Sequence, residues 1–145
     1  MSADCIFCQI VARDANASIV YEDALTLAFL DHDPFNAGHT LVIPKRHATH
    51  IADLDPVSSA AIFPAAQRVG AALRASGLRC DGVTIHLADG APAGQDVFHV
   101  HLHVIPRWRG DGMRLRPPGR PPHRPPRTEL DAIAKALRER LPQQM

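Results

Sequence analysis

The sequence predicts an α+β domain built on an antiparallel sheet, with one long helix and a further helix near the C-terminal end. Three observations lead there. Short runs of apolar and β-branched residues recur between Ser18 and Ile105, each bounded by Gly, Pro, Asn or Asp. One long stretch, opened by Asp55-Pro56, carries apolar residues at helical spacing. A Pro/Arg-rich stretch then separates this body from a final amphipathic segment. With 145 residues, 46% of them hydrophobic, the chain is long enough for one compact domain with a real core.

The elements follow in order. Cys5 to Val11 reads as a short helix or turn. Ser18–Tyr21 and Leu25–Leu30 read as a hairpin about the turn-like Glu22-Asp23. Asp33 to Gly38 is a loop by its Pro, Asn and Gly, and His39 to Ile43 is a third strand stopped by Pro44. Asp55 can cap the free N–H groups of a helix in which Pro56 takes the first position. Ile62, Ala65, Val69, Ala72 and Leu73 give that helix its buried side and Gly77 closes it, while Pro64 predicts a separate or kinked first turn. Gly82 to Leu87 is a fourth strand, Asp89 to Gly94 a tight loop, and Val97 to Ile105 a fifth strand ended by Pro106. From Gly110 to Arg127, proline pairs alternate with arginines, so this segment is expected to be extended. Thr128 and Asp131 resemble a capping pair for a helix striped by Leu130, Ile133, Leu137 and Leu141. The division is residues 1–113 as the domain, 114–127 as the extended segment and 128–145 as the terminal helix and tail.

Charge and composition exclude several classes. Lys+Arg number 16 against Asp+Glu 15, a balance that does not suit a dedicated nucleic-acid binder. No apolar run approaches the roughly 20 residues that span a bilayer. The first residues lack the basic and apolar regions of a signal peptide, so no membrane association and a cytoplasmic location are expected. Of three cysteines, Cys5 and Cys8 form a C-x-x-C, for which metal or redox chemistry is the natural question in a reducing compartment. Cys80 is expected to pack as a small buried residue.

The decisive segment is Phe98-His99-Val100-His101-Leu102-His103-Val104-Ile105-Pro106. Strand alternation puts His99, His101 and His103 on one face and Val100, Leu102 and Val104 on the other. An all-imidazole face has two chemical readings. Histidines two apart on a strand can ligate a metal. Alternatively, a neutral imidazole, abundant at pH 7, can attack phosphorus and then leave again. The preceding loop, Asp89-Gly90-Ala91-Pro92-Ala93-Gly94-Gln95, favours phosphate: its glycines allow close backbone approach and Gln95 can donate to a phosphate oxygen.

The run Ala93-Gly94-Gln95-x-Val97-x-His99-x-His101-x-His103-Val104-Ile105-Pro106-Arg107 resembles the signature of the histidine triad (HIT) superfamily. Cys5-Ile6-Phe7-Cys8, Tyr21-Glu22-Asp23, Ala28-Phe29-Leu30-Asp31 and Gly38-His39-Thr40-Leu41-Val42-Ile43-Pro44-Lys45-x-His47 are similar to bacterial members in the same order, so the resemblance covers roughly residues 4 to 113. It implies a HIT-like five-stranded antiparallel sheet and a hydrolase or transferase cleaving purine nucleotide conjugates at the α-phosphate. Phosphoramidates, adenylates and dinucleoside polyphosphates are the substrate classes it implies. Residue by residue, it makes His101 the nucleophile that carries a transient nucleotidyl group and His103 its catalytic neighbour at the phosphate. Gln95 would sit beside the phosphate, Asp31 would bind the ribose hydroxyls, and Asp89 and Gly94 would complete the substrate-binding loop. Some bacterial relatives hold zinc, which here would use Cys5, Cys8, His47 and His99; His50 is a rival to His47, and motif position favours His47. A homodimer is implied as well.

Two departures from the family pattern stand out. Ala88 replaces a common Asn or Gln, removing a polar contact near the nucleotide. Asp96 replaces a common Ser or Thr, and its carboxylate is expected to repel anionic leaving groups and so favour amines. In the Pro/Arg-rich segment, Arg114, Arg116, Arg120 and Arg124 are candidates to reach a phosphate, since the planar guanidinium can clamp two oxygens.

Overall fold

The computed structural model describes residues 3–115, 119 and 123–142. Its five strands are β1 (Ile19–Glu22), β2 (Thr26–Leu30), β3 (Thr40–Pro44), β4 (Gly82–His86) and β5 (Leu102–Arg107). They form one antiparallel sheet in the order β1-β2-β3-β5-β4. The helices are α1 (Ile6–Ala12), α2 (Pro56–Ala75) and α3 (Arg127–Arg138). The architecture is the α+β class with the antiparallel five-stranded sheet expected.

Strand alternation divides the core in two. Ala28, Val42, Leu102 and Val104 point to one side and pack with Ile62, Ala65, Ala66, Val69 and Leu73 of α2. Leu27, Phe29, Leu41 and Ile43 point to the other and pack with Phe7 and Ile10 of α1. Each fully buried Val, Leu, Ile or Phe side chain of these sets contributes about 1.5–3 kcal/mol, so two sets hold the sheet from both faces. Asp55 caps α2 as predicted, its side chain accepting from the Val57 and Ser58 amides.

Several boundaries differ from expectation. Helix α2 runs unbroken through Pro64 because that residue lies on the exposed side, where water can satisfy the carbonyl one turn back. Pro44 belongs to β3: the pairing of β3 with β5 extends only from Thr40 to Val42, so its missing N–H interrupts no ladder. Pro106 is likewise inside β5 because only β4 pairs with it there. The predicted fifth strand begins late. Residues 97–101 bend, with the His99 amide donating to the Val97 carbonyl and the Val100 amide to the Ala48 carbonyl, and regular β5 starts at Leu102. Cys80 is only partly buried.

Gly38, in the turn before β3, has φ +100°, and a Cβ there would lie 2.8 Å from a Leu73 methyl and 2.9 Å from one of Leu78. Buried Asn36 donates to the Pro106 carbonyl at 2.8 Å and to Asp111 at 3.0 Å, tying this loop to the end of β5.

Internal packing separates Met1–Gly112 from Met113–Met145. In the second unit α3 is capped by Pro126 without a side-chain hydrogen bond; Thr128 lies inside the helix and is not its cap. Leu130, Ile133, Leu137 and Leu141 are exposed. Arg116 and Arg120, with four of the prolines between Pro117 and Pro122, lie outside the described residues. No described helix is long and apolar enough to cross a membrane.

Candidate functional site

The alternation on which the histidine reading rests persists through the bend. Val100, Leu102 and Val104 enter the α2 side of the core, while His99, His101 and His103 face the α1 side. The imidazole face is not solvated: His99 is 0% and His101 2% exposed. Phe7 of α1 stands edge-on to both, with ring centroids 5.8 Å from His99 and 5.2 Å from His101. A cleft of about 820 Å³ opens beside them. Ile6, Phe7, Ile10, Phe29 and Leu41 give it an apolar wall, and Asp31, Asp96, His101 and His103 converge at its polar end.

Each triad histidine has a distinct hydrogen-bonding situation. His99 Nε2 lies 2.8 Å from the Pro44 carbonyl, which can only accept, so Nε2 carries the proton and Nδ1 keeps its lone pair. Burial holds this imidazole neutral, lowering its pKa to about 4 against the opposing pull of the Pro44 carbonyl. His101 Nδ1 lies 2.7 Å from the His99 carbonyl, so its proton is on Nδ1 and its lone pair on Nε2. That Nε2 is 3.9 Å from a carboxylate oxygen of Asp96, an 83% exposed side chain. His103 is paired across the sheet with Leu41 on one side and His86 on the other. Its ring stacks on His86 at 4.3 Å and 9°. Burial, then the neighbouring His101, His86 and His39, lowers its pKa to about 4, with Asp31 opposing.

The His99 lone pair is aimed at a cluster. Its Nδ1 is 3.2 Å from His47 Nδ1, 3.5 Å from Cys5 Sγ and 3.7 Å from Cys8 Sγ, and Cys8 Sγ is 3.3 Å from His47 Nδ1. Tetrahedral zinc, with bonds of about 2.0–2.1 Å to nitrogen and 2.3 Å to sulfur, spaces two nitrogens about 3.3 Å apart and nitrogen from sulfur about 3.6 Å. The donors fit that spacing, with the His99 Nδ1 lone pair aimed among them. Helix α1 supplies Cys8 and its N-terminal cap supplies Cys5, the segment after β3 supplies His47, and the bend before β5 supplies His99. His50 is elsewhere, 3.1 Å from Asp89.

The other residues expected to bind substrate divide. Asp31 and His103 line the cleft. Gln95 does not: its carboxamide is buried, donating to the Thr49 carbonyl at 2.8 Å and accepting from the Gly90 amide at 2.7 Å. It therefore braces the loop from inside. Asp89 accepts from the Ile51 amide at 3.3 Å and holds His50, on the loop's outer side. Gly94 closes the loop's short turn with φ 95°. Sequence reasoning did not single out His39, His86 or Phe7. His39 follows Gly38 in the turn before β3, and its Nε2 lies 2.9 Å from His103 Nδ1 and 3.6 Å from Asp31.

A sequence model of the HIT domain matches residues 12–110. A HIT-like protein of Mycobacterium tuberculosis is 44% identical over 147 residues, spanning 97% of this chain and 94% of its own. A HIT-family protein from Bacillus subtilis has a crystal structure similar to this one, with TM-score 0.87 and 35% identity, over 97% of this chain and 99% of that one. A zinc-bound histidine triad family protein from Mycobacterium smegmatis is 43% identical with TM-score 0.73, over 94% and 96%. Some relatives carry functional names. An adenylylsulfatase of Arabidopsis thaliana is 34% identical over 118 residues, 77% of this chain and 59% of that protein. A histidine triad nucleotide-binding protein from Candida albicans is 27% identical with TM-score 0.82, over 94% and 96%. By these matches the chain belongs to the histidine triad (HIT) family.

Proposed function

We propose that the chain is a nucleotidyl hydrolase or transferase that cleaves purine nucleotide conjugates at the α-phosphate. The observation that carries this reading is the His101 tautomer. A buried imidazole whose Nδ1–H is held at 2.7 Å by a main-chain carbonyl presents an Nε2 lone pair at the polar end of the cleft. In this reading the apolar wall takes the purine and Asp31 accepts hydrogen bonds from the ribose hydroxyls, which sets the α-phosphorus against His101. The Nε2 lone pair forms a bond to phosphorus as the bond to the leaving group breaks. The leaving group departs with the electron pair and takes a proton from solvent water, which is made good when the attacking water of the second step loses its own. The phosphorylated ring retains its Nδ1–H, and the His99 carbonyl stabilises the positive charge it then carries. Water attacks phosphorus in the second step, releasing the nucleoside monophosphate and returning His101 neutral. An alcohol or amine in place of water would make the reaction a transfer. His103, held neutral, donates to a phosphate oxygen.

Cys5, Cys8, His47 and His99 would hold zinc as a closed structural site, pinning α1 to the histidine segment and so keeping Phe7 against His101. The zinc-bound mycobacterial relative supports this assignment. The homodimer implied by the resemblance belongs to the same reading, and sedimentation measures it.

The test is His101→Ala with an adenosine phosphoramidate. Turnover falls by about a thousandfold or more, while the Kd for adenosine monophosphate stays within a few-fold, since a covalent pathway is worth several kcal/mol. Activity within about tenfold of wild type removes His101 as the nucleophile.

A further inference from the structure

The cleft has a direction set by the sheet beneath it. His103 of β5 pairs with Leu41 of β3, Leu41 with Phe29 of β2, and Phe29 with Ile19 at the start of β1. His103, Leu41 and Phe29 line the cleft, and so do Asn16, Ala17 and Ser18, just before Ile19. Neighbouring strands lie about 4.8 Å apart, so three spacings carry the cleft roughly 14 Å from His103 to the loop between α1 and β1. Asp31 directly follows β2 and so stands one strand short of that loop.

The loop is short and held at both ends. The Asp14 and Ala15 amides donate to the Gln9 carbonyl in α1 at 2.9 and 3.2 Å, and the Ser18 carbonyl accepts from the Leu30 amide at 2.9 Å. Ala15 and Ala17 pack against the apolar residues of this face. Asn16, between them, stays exposed at the rim of the cleft. Its carboxamide has no hydrogen-bond partner among the described residues. A mostly apolar cleft orients and selects its ligand through the few polar groups it holds. Asp96, His101 and His103 are those groups at one end, and the loop adds Asn16 and Ser18 beside Ile10 and Phe29.

We infer that Asn16 is a specificity-determining residue that reads the Watson–Crick edge of adenine. The inference rests on the proposed function, because the direction of the nucleotide follows from the phosphate at His101 and the ribose at Asp31. The base then lies on the β1 side of Asp31. The edge that meets the loop is the one farthest from the sugar, carrying N1 and the 6-substituent. Adenine presents there one acceptor, N1, beside one donor, its 6-amino group. A single carboxamide matches both, Nδ2 donating to N1 and Oδ1 accepting from the 6-amino group. Guanine presents three groups: a 6-oxo acceptor and donors at N1 and the 2-amino nitrogen. A reversed carboxamide pairs with the first two and leaves the 2-amino group without a partner beside an apolar wall.

The experiment titrates adenosine and guanosine monophosphates by calorimetry into the full, zinc-loaded chain, as wild type, Asn16→Ala and Asn16→Asp. Wild type is expected to bind the adenine nucleotide about fivefold or more tightly than the guanine one, the effect of one unmade hydrogen bond. Asn16→Ala is expected to bring the two Kd values within about twofold of each other, chiefly by weakening the adenine nucleotide. A carboxylate only accepts, which suits the two guanine donors and opposes the adenine N1 lone pair, so Asn16→Asp is expected to favour the guanine nucleotide. Asn16 is exposed and its side chain bonds to no described residue, so neither substitution removes a contact that holds the fold. Equal wild-type affinities overturn the inference, as does an alanine variant that keeps the wild-type ratio. Both Kd values are read without turnover. Selective binding with no product formed would therefore refute the proposed function and leave this inference standing, and an active enzyme with no base preference would do the reverse.

Discussion

Replacing Phe7 with alanine tests how the histidine face is held. Phe7 is 6% exposed and touches three rings edge-on: Phe29 at 5.4 Å, His99 at 5.8 Å and His101 at 5.2 Å. A buried Phe→Ala change costs about 3–5 kcal/mol, of which aromatic pairs of this geometry supply about 0.5–1.5 kcal/mol each. Phe7 also walls the cleft, so water can enter part of the space it leaves. The low end, about 3 kcal/mol, is therefore expected. For a body of this size that lowers Tm by about 10–20 °C. The assay is urea unfolding at pH 7 for stability, with kcat measured well below the new Tm. Phe7→Leu, which refills most of the volume, should cost less than about 1.5 kcal/mol yet still lower kcat, because an aliphatic side chain no longer abuts the His101 ring edge-on. An alanine variant destabilised by less than about 1 kcal/mol would refute the reasoning. So would a leucine variant with full kcat.

Three further outcomes follow from the same geometry. Cys8→Ser should lower both zinc content by metal analysis and Tm by scanning calorimetry, because Cys8 Sγ lies 3.3 and 3.7 Å from the two imidazole nitrogens of the cluster; equal zinc in the variant would remove Cys8 from the site. Asp96→Ser should raise turnover of a dinucleoside polyphosphate relative to a phosphoramidate, since the carboxylate 3.9 Å from His101 Nε2 repels an anionic leaving group; an unchanged ratio would contradict that role. The third concerns pH. His103 has a folded pKa of about 4 against an ordinary value of 6.5, so the unfolded chain binds more protons between those values. Its contribution to stability is complete above about pH 6.5 and is lost as the pH falls toward about 4. Tm should decline over that window, and less steeply in His103→Asn; parallel declines would count against a neutral, buried His103.

Much of the site was legible because period-two alternation survives where regular pairing does not. His99 and His101 lie in a bend, yet Val100 still enters the core, so the inference about faces held although β5 begins only at Leu102. The cysteine–histidine cluster was legible from residue types and family order. His39 and His86 were not, because each becomes significant only through strand order: β3 and β4 flank β5, and no local pattern announces that. Gln95 shows the opposite failure. A polar side chain in a glycine-rich loop suggested a free donor, whereas a loop that lacks regular pairing needs an internal brace, and the Thr49 carbonyl and Gly90 amide take both ends of the carboxamide. Thr128 was read as a cap from its spacing to Asp131, but the helix begins one residue earlier, after Pro126.

The central claim is that His101 carries the nucleotidyl group, and it has a direct measurement. Wild-type protein is mixed with an adenosine phosphoramidate, quenched within a single turnover under alkaline conditions that preserve P–N bonds, digested and mapped by mass spectrometry. An adenylyl group on His101, absent from His101→Ala, is the result expected. Product formed with no adduct at any sampled time, or an adduct on a different residue, would contradict the account.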